Sequence, residues 1–188
     1  MESFRRKQLD EALSSRILIL DGAMGTMLQA YNPTAADFGG AGLENCNENL
    51  CRTHPEWIVE IHRAYIEAGA DILTTNSFQA SPIVLEEFGL KDQAHALNVL
   101  AAQLARQAAG DHFVAGSMGP TTKSLTLRGD VSFDQLRASY EIQARGLIEG
   151  GVDLLLIETG FDTRNVKAAL LAIQDLHVPV IISGTIER

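Results

Sequence analysis

The chain has 188 residues, enough for one domain with a substantial core and short of two. A formal charge of −9 and a pI near 4.9, with no cluster of lysines or arginines, argue against a nucleic-acid backbone as partner. No apolar run approaches the ~20 residues of a membrane span, and Met1 to Arg16 mixes both charge signs at helical spacing, unlike a secretory signal.

Residues 3–14 set Phe4, Leu9 and Leu13 among charges, an amphipathic helix suited to capping a barrel bottom or to packing outside one. A first strand is expected at 17–20, running into Asp21-Gly22-Ala23-Met24-Gly25-Thr26. The small residues allow close backbone approach there, and successive amides would form an anion-binding concavity if a helix begins near Thr26. An ordinary glycine turn is the competing reading. Residues 31–51 are polar and Gly-rich and read as a long loop; at ~20 residues such a loop is usually functional or disordered. Thr53, with Pro55 and then Glu56 three residues on, marks a helix start capped by Thr53. Trp57, Ile58, Ile61, Tyr65 and Ala68 form its apolar face and Gly69 closes it.

A second strand, 72–75, delivers Asn76-Ser77-Phe78 to the next loop. The Ala-rich helix 93–109 follows, with Leu97, Leu100 and Leu104 inward, then a third strand at 113–116 leading into Ser117-Met118-Gly119-Pro120. Ser132 and Gln135 form a second capping box, opening a helix with Phe133, Leu136, Tyr140, Ala144 and Leu147 on one side. The fourth strand, 154–157, is four apolar residues in a row, as in a strand buried on both faces, and it ends in Glu158-Thr159. Asp162 or Thr163 caps a helix bearing Val166, Ala169, Leu170 and Ile173, and a fifth strand spans 178–184. Strict alternation implies α/β architecture, a parallel sheet and ligands at the strands' carboxyl ends. A five-stranded doubly wound sheet fits the length, whereas a (β/α)₈ barrel needs at least ~200 residues. Polar loops after four of the strands nevertheless look more like a barrel mouth than a single crevice.

Residues 66–76 align with 148–158 at a constant offset of 82, which makes Asn76 and Glu158 the same position on two strands. If the strands share a mouth, Asp21, Asn76 and Glu158 converge. Carboxylates and an amide suit an ammonium group, and the amides of Gly22, Ala23 and Met24 suit a carboxylate. The pair describes a zwitterionic amino acid; strand-end caps that only bond adjacent loops are the alternative. Cys46, Cys51 and His54 (C-x4-C-x2-H) look superficially like metal ligands, but zinc pairs are spaced more tightly and no fourth ligand is evident. Small buried hydrophobes suit the cysteines better, and with no disulfide framework they fit a reducing cytoplasm. His62 and His95 fall within amphipathic helices and are expected at the surface or satisfied. No P-loop, G-x-G-x-x-G after a strand, G-x-S-x-G or H-E-x-x-H is present.

Leu20-Asp21-Gly22-Ala23-Met24-Gly25-Thr26-Met27-Leu28-Gln29 resembles the opening signature of the homocysteine-binding domain of cobalamin-dependent methionine synthases. Asn47-Glu48, Ile61-His62-Arg63-Ala64-Tyr65, Ala68-Gly69-Ala70-Asp71-Ile72 and Thr75-Asn76-Ser77-Phe78 continue the series. Ala115-Gly116-Ser117-Met118-Gly119-Pro120-Thr121, Leu156-Ile157-Glu158-Thr159 and Ser183-Gly184-Thr185-Ile186 complete it. The wider homocysteine S-methyltransferase family, including betaine-dependent enzymes, shares the general pattern.

The resemblance implies a (β/α)₈ barrel in which zinc, held by three cysteines, presents homocysteine as a thiolate to a methyl donor. In methionine synthases that donor is methylcobalamin on another module, remethylated from methyltetrahydrofolate. Carried onto this sequence, Glu158 holds the substrate ammonium and Asp21 lies beside the thiolate pocket. The Gly22–Met24 amides take the carboxylate, and Asn76 lines the mouth. The family's zinc cysteines lie on later strands, one and then an adjacent pair, and this sequence contains none of them. Cys46 matches a recurrent non-ligand cysteine and Cys51 no ligand position. Residues 1–188 are therefore expected to form the N-terminal part of one barrel domain, about four β/α units plus a fifth strand, ending at Glu187-Arg188. Alone it is expected to be inactive and to self-associate or pair with the missing half. The alternatives are a betaine- or S-methylmethionine-dependent enzyme, or a non-catalytic fragment.

Overall fold

The wall of the molecule is a parallel ladder laid down in chain order. The computed structural model describes residues 4–123, 125 and 129–186, so the expected chain end at Glu187-Arg188 lies outside the described residues. Strands β1 (Ile72–Thr74), β2 (Phe113–Met118), β3 (Leu154–Gly160) and β4 (Val180–Gly184) neighbour one another in the order β1-β2-β3-β4, all parallel. Leu20 adds a parallel bridge to Ile72 on the far side of β1. A doubly wound sheet reverses its strand order at a switch point. No reversal occurs here, and the sequence-ordered, helix-backed wall is that of an α/β barrel left open. Among the described residues β4 pairs with β3 alone.

Alternation along the strands separates two faces. Ile72, Phe113, Ala115, Leu154 and Leu156 point inward and pack with Leu18 and with Leu9 of α1 (Phe4–Ser15). Leu73, Val114, Leu155 and Ile157 point outward into the helical layer. That layer comprises α2 (Met24–Gln29), α3 (Leu50–Thr53), α4 (Pro55–Glu67), α5 (Pro82–Leu85), α6 (Ala94–Ala109), α7 (Phe133–Glu149) and α8 (Thr163–Ile173). Leu9 is 3% exposed, so α1 plugs the interior from below. Arg5 ties it there, donating to Asp153 at 2.9 Å and 3.1 Å and to the His112 carbonyl at 2.9 Å.

The expected strand at 17–20 is reduced to that one bridge. Asp71 takes the Ile19 amide with its carboxylate (2.8 Å), and the Ile19 carbonyl accepts from both Asp71 and Ile72. A side chain thus stands where a ladder bond would be, and Ile17 is left 89% exposed. The expected cap at Thr53 is also displaced. Thr53 closes α3 and donates its hydroxyl to the Asn49 carbonyl, and His54 occupies the N-cap of α4. Pro55 at the first helical position excludes the preceding residue from helical geometry, which puts the boundary at His54. The capping box at Ser132 and Gln135 is present, and of the two candidates for α8 Asp162 is the cap. The loop 31–51 contains short 3-10 turns at Ala41–Leu43 and Asn47–Asn49, and buries Phe38, Cys46 and Leu50.

The internal repeat reappears in the backbone. Gly69 and Gly151 both take φ near +100°, closing α4 and α7 with the same pair of carbonyl bonds. Asp71 and Asp153 then each accept an amide from the neighbouring chain segment, Ile19 and Val114 respectively. The equivalence is one of sequence and not of height. Ile72 lies beside Phe113, whereas its repeat partner Leu154 lies beside Ala115, a stagger of two residues across the wall. Such shear is what a closing barrel requires.

Candidate functional site

At the carboxyl end of the wall a cavity of about 460 Å³ is lined by Asp21, Gly22, Ala23, Met24, Asn76 and Glu158. All six residues singled out from the sequence therefore border one space. Asp21 is pinned against β1: its Oδ1 accepts the Thr74 hydroxyl (2.7 Å) and its Oδ2 the Thr74 amide (2.9 Å). Burial pushes its carboxyl up to about 6, the nearby Glu158 charge adds to the rise, and the Thr74 bonds offset part of it. Gly22 leaves room for the Tyr65 ring, whose hydroxyl would lie 2.9 Å from a Cβ at that position and would have to shift. That hydroxyl donates to the Ala23 carbonyl at 3.4 Å. Ala23 is the N-cap of α2 and offers no side-chain cap, so the amides of its first turn are left for a ligand.

Thr74, Ser117 and Glu158 come from successive strands and meet the same cavity. Glu158 accepts the Ser117 hydroxyl at 2.5 Å. A bulge follows at once, with the β3–β4 register slipping between Ile157 and Gly160, and Thr159 takes φ +57°. Positive φ is an outlier for a β-branched residue, and bulges of this kind re-aim chain next to sites. Asn76 borders the space, but its Nδ2 donates to the Asn47 carbonyl (2.8 Å) and to Cys51 Sγ (3.5 Å), so it braces the wall.

Glu48, like Thr74 and Ser117, lines the cavity without having been selected by residue-by-residue reading of the sequence. It is 4% exposed, burial raises its carboxyl above the usual range, and Oε1 accepts the Gln79 amide at 2.9 Å. The only signal was its place in the Asn47-Glu48 pair, since a polar loop has no period from which to infer burial. The lining holds the carboxyls of Asp21, Glu48 and Glu158 and no Lys, Arg or His.

Cys46, Cys51 and His54 do not converge on a metal. Both cysteines are buried, with thiols pushed by burial up to about 11 and about 12. His54 faces out, stacked on Trp57 at 3.8 Å and bonded to Asp37 and Glu56. No group of three or more His, Cys, Asp or Glu suited to a metal occurs among the described residues. The donor set present does not fit the zinc that the resemblance implies. His95 lies at the surface, 3.4 Å from Glu149. His62 corrects the expectation: it is fully buried on α4, with no hydrogen-bond partner for either ring nitrogen among the described residues.

A parallel, helix-backed wall with an acidic pocket at its carboxyl end defines an α/β-barrel class of small-molecule binding domain. Residues 18–188 match the family model for homocysteine S-methyltransferase, and the chain belongs to that family. Among solved structures it is similar to the homocysteine methyltransferase MmuM from Escherichia coli. The metallated form superposes with a TM-score of 0.79 at 29% identity, over 95% of this chain and 67% of that one. The oxidized form gives 0.76 at 29% identity over 93% and 64%, and the apo form 0.73 at 28% over 95% and 64%. The chain thus spans about two thirds of the length of these relatives.

Proposed function

We propose that this chain is the homocysteine-binding part of a methionine synthase, in which a methyl group passes to the homocysteine thiolate to give methionine. The observation that carries the reading is the pairing of opposite preferences in one pocket. Asp21 and Glu158 suit an ammonium group, and the amides of Gly22, Ala23 and Met24, on the lining segment that leads into α2, suit a carboxylate. Asn76 lines the mouth. This reading calls for zinc, methylcobalamin and methyltetrahydrofolate, for none of which the described residues offer a metal-ligand cluster, and it places the reaction in the cytoplasm. On its own this part binds substrate without turning it over.

A second reading changes the donor to betaine or S-methylmethionine. Three carboxyls with no cationic side chain in the lining favour a donor whose methyl group sits on a cationic ammonium or sulfonium centre.

Calorimetric titration of the purified chain with reduced L-homocysteine tests the core of the proposal. Saturable binding is expected, weakened at least about tenfold by Glu158→Gln, the scale of one hydrogen bond to a charged group. Affinity should fall as pH drops below about 6, where Asp21 takes up its proton. Unchanged affinity in Glu158→Gln would remove that residue from the ammonium site.

A further inference from the structure

Glu158 stands at an irregular point of the wall. The bulge begins directly behind it and the next residue is left-handed, so local backbone alone gives this long side chain little reason to hold one orientation. The partner that holds it is Ser117, 2% exposed, whose hydroxyl donates to Oε1. Ser117 is in turn fixed through its main chain. Its amide donates to Thr75 Oγ1 (2.9 Å), and its carbonyl accepts from Ser77 Oγ (2.8 Å) and Gln143 Nε2 (3.4 Å). Gln143 reaches in from α7, is wholly buried and also donates to the Ser77 carbonyl at 2.7 Å. The Thr75 and Ser77 hydroxyls are bonded to each other at 2.6 Å. A braced frame drawn from two strand ends and a helix thus terminates in a single hydroxyl aimed at the carboxylate.

We propose that Ser117 is a positioning residue: it fixes the Glu158 carboxylate through Oε1 so that Oε2 is presented to the ligand's ammonium group. The inference rests on the reading of Glu158 as the ammonium acceptor and adds the group that makes it one. Because the frame is held by the Ser117 main chain, replacing the side chain leaves the frame's own bonds in place, and Ser117→Ala should fold.

Two measurements test it. In calorimetry, Ser117→Ala should bind L-homocysteine about tenfold more weakly, the scale of one hydrogen bond to a charged group. Binding of 4-mercaptobutanoate, which keeps the thiol and carboxylate and lacks the amine, should be unchanged, and Ser117→Thr, which restores a hydroxyl, should recover homocysteine affinity. A crystal structure of ligand-free Ser117→Ala should show the Glu158 carboxylate turned from its wild-type position. A Glu158 that stays in place, or an equal loss for both ligands, would overturn the proposal. If wild-type protein binds neither ligand, the homocysteine reading fails, and the Glu158 orientation in the Ser117→Ala crystal still decides the positioning role.

Discussion

His62 is the least comfortable side chain in the protein. Burial pushes its imidazole down to about 4, from an ordinary 6.5, and neither nitrogen has a partner among the described residues. The folded state keeps it neutral while the unfolded chain protonates near 6.5, so its burden on stability grows as pH falls from about 6.5 to about 4. That difference amounts to on the order of 3 kcal/mol by pH 4. His62→Leu should therefore raise the melting temperature at neutral pH and flatten the acid limb of the stability curve, both readable by thermal unfolding between pH 4 and 8. Gly22→Ala belongs at the same scale. The added methyl meets the Tyr65 ring, and a loss of about 1 kcal/mol with weakened homocysteine binding is expected. That Asp21, Gly22 and Glu158 border one cavity was legible in the sequence because strand ends and small-residue turns are local patterns. Glu48 and His62 were not, because their burial is decided by which helix or loop lies over them, and no window of residues contains that.

At the scale of elements, the bulge in β3 is the feature with consequences. Thr159 holds a left-handed backbone that glycine adopts without strain. Thr159→Gly should gain about 1 kcal/mol in denaturant unfolding, and looser retention of Glu158 should cost ligand affinity. A rise in stability with affinity intact would mean that the strain does nothing for the site. The capping box of α7 offers a plainer test, with Ser132→Ala expected to cost about 1 kcal/mol. Helices α4, α6, α7 and α8 were readable because their apolar spacing is strong, and α7 and α8 carry side-chain caps besides. Residues 17–20 read as a strand by composition, yet the Asp71 carboxylate takes the Ile19 amide, a contact between residues 52 positions apart.

At the scale of the whole molecule, the described residues form a wall with two free margins. Ile17 is 89% and Ile182 50% exposed at opposite ends of the strand order, and unpaired parallel edges of this kind seek partners. Sedimentation of the isolated chain should show mass rising with concentration; a clean monomer with cooperative unfolding would count against an incomplete barrel. Strand alternation announced the parallel sheet, whereas the choice between barrel and doubly wound sheet rested on strand order, which composition does not encode.

The clasp between the first helix and the third strand also sets a sequence of events in time. Arg5 and Asp153 lie 148 positions apart, so although Leu9 and the His112 carbonyl give the N-terminal helix footholds on β1 and β2, its docking is completed only once β3 has joined the wall. Docking of α1 is then a late step, made after the slow assembly of non-local strand pairs. Arg5→Ala should accordingly accelerate unfolding while leaving the refolding rate nearly unchanged in stopped-flow chevrons. The clasp governs how long the protein lasts and has little say in how quickly it forms.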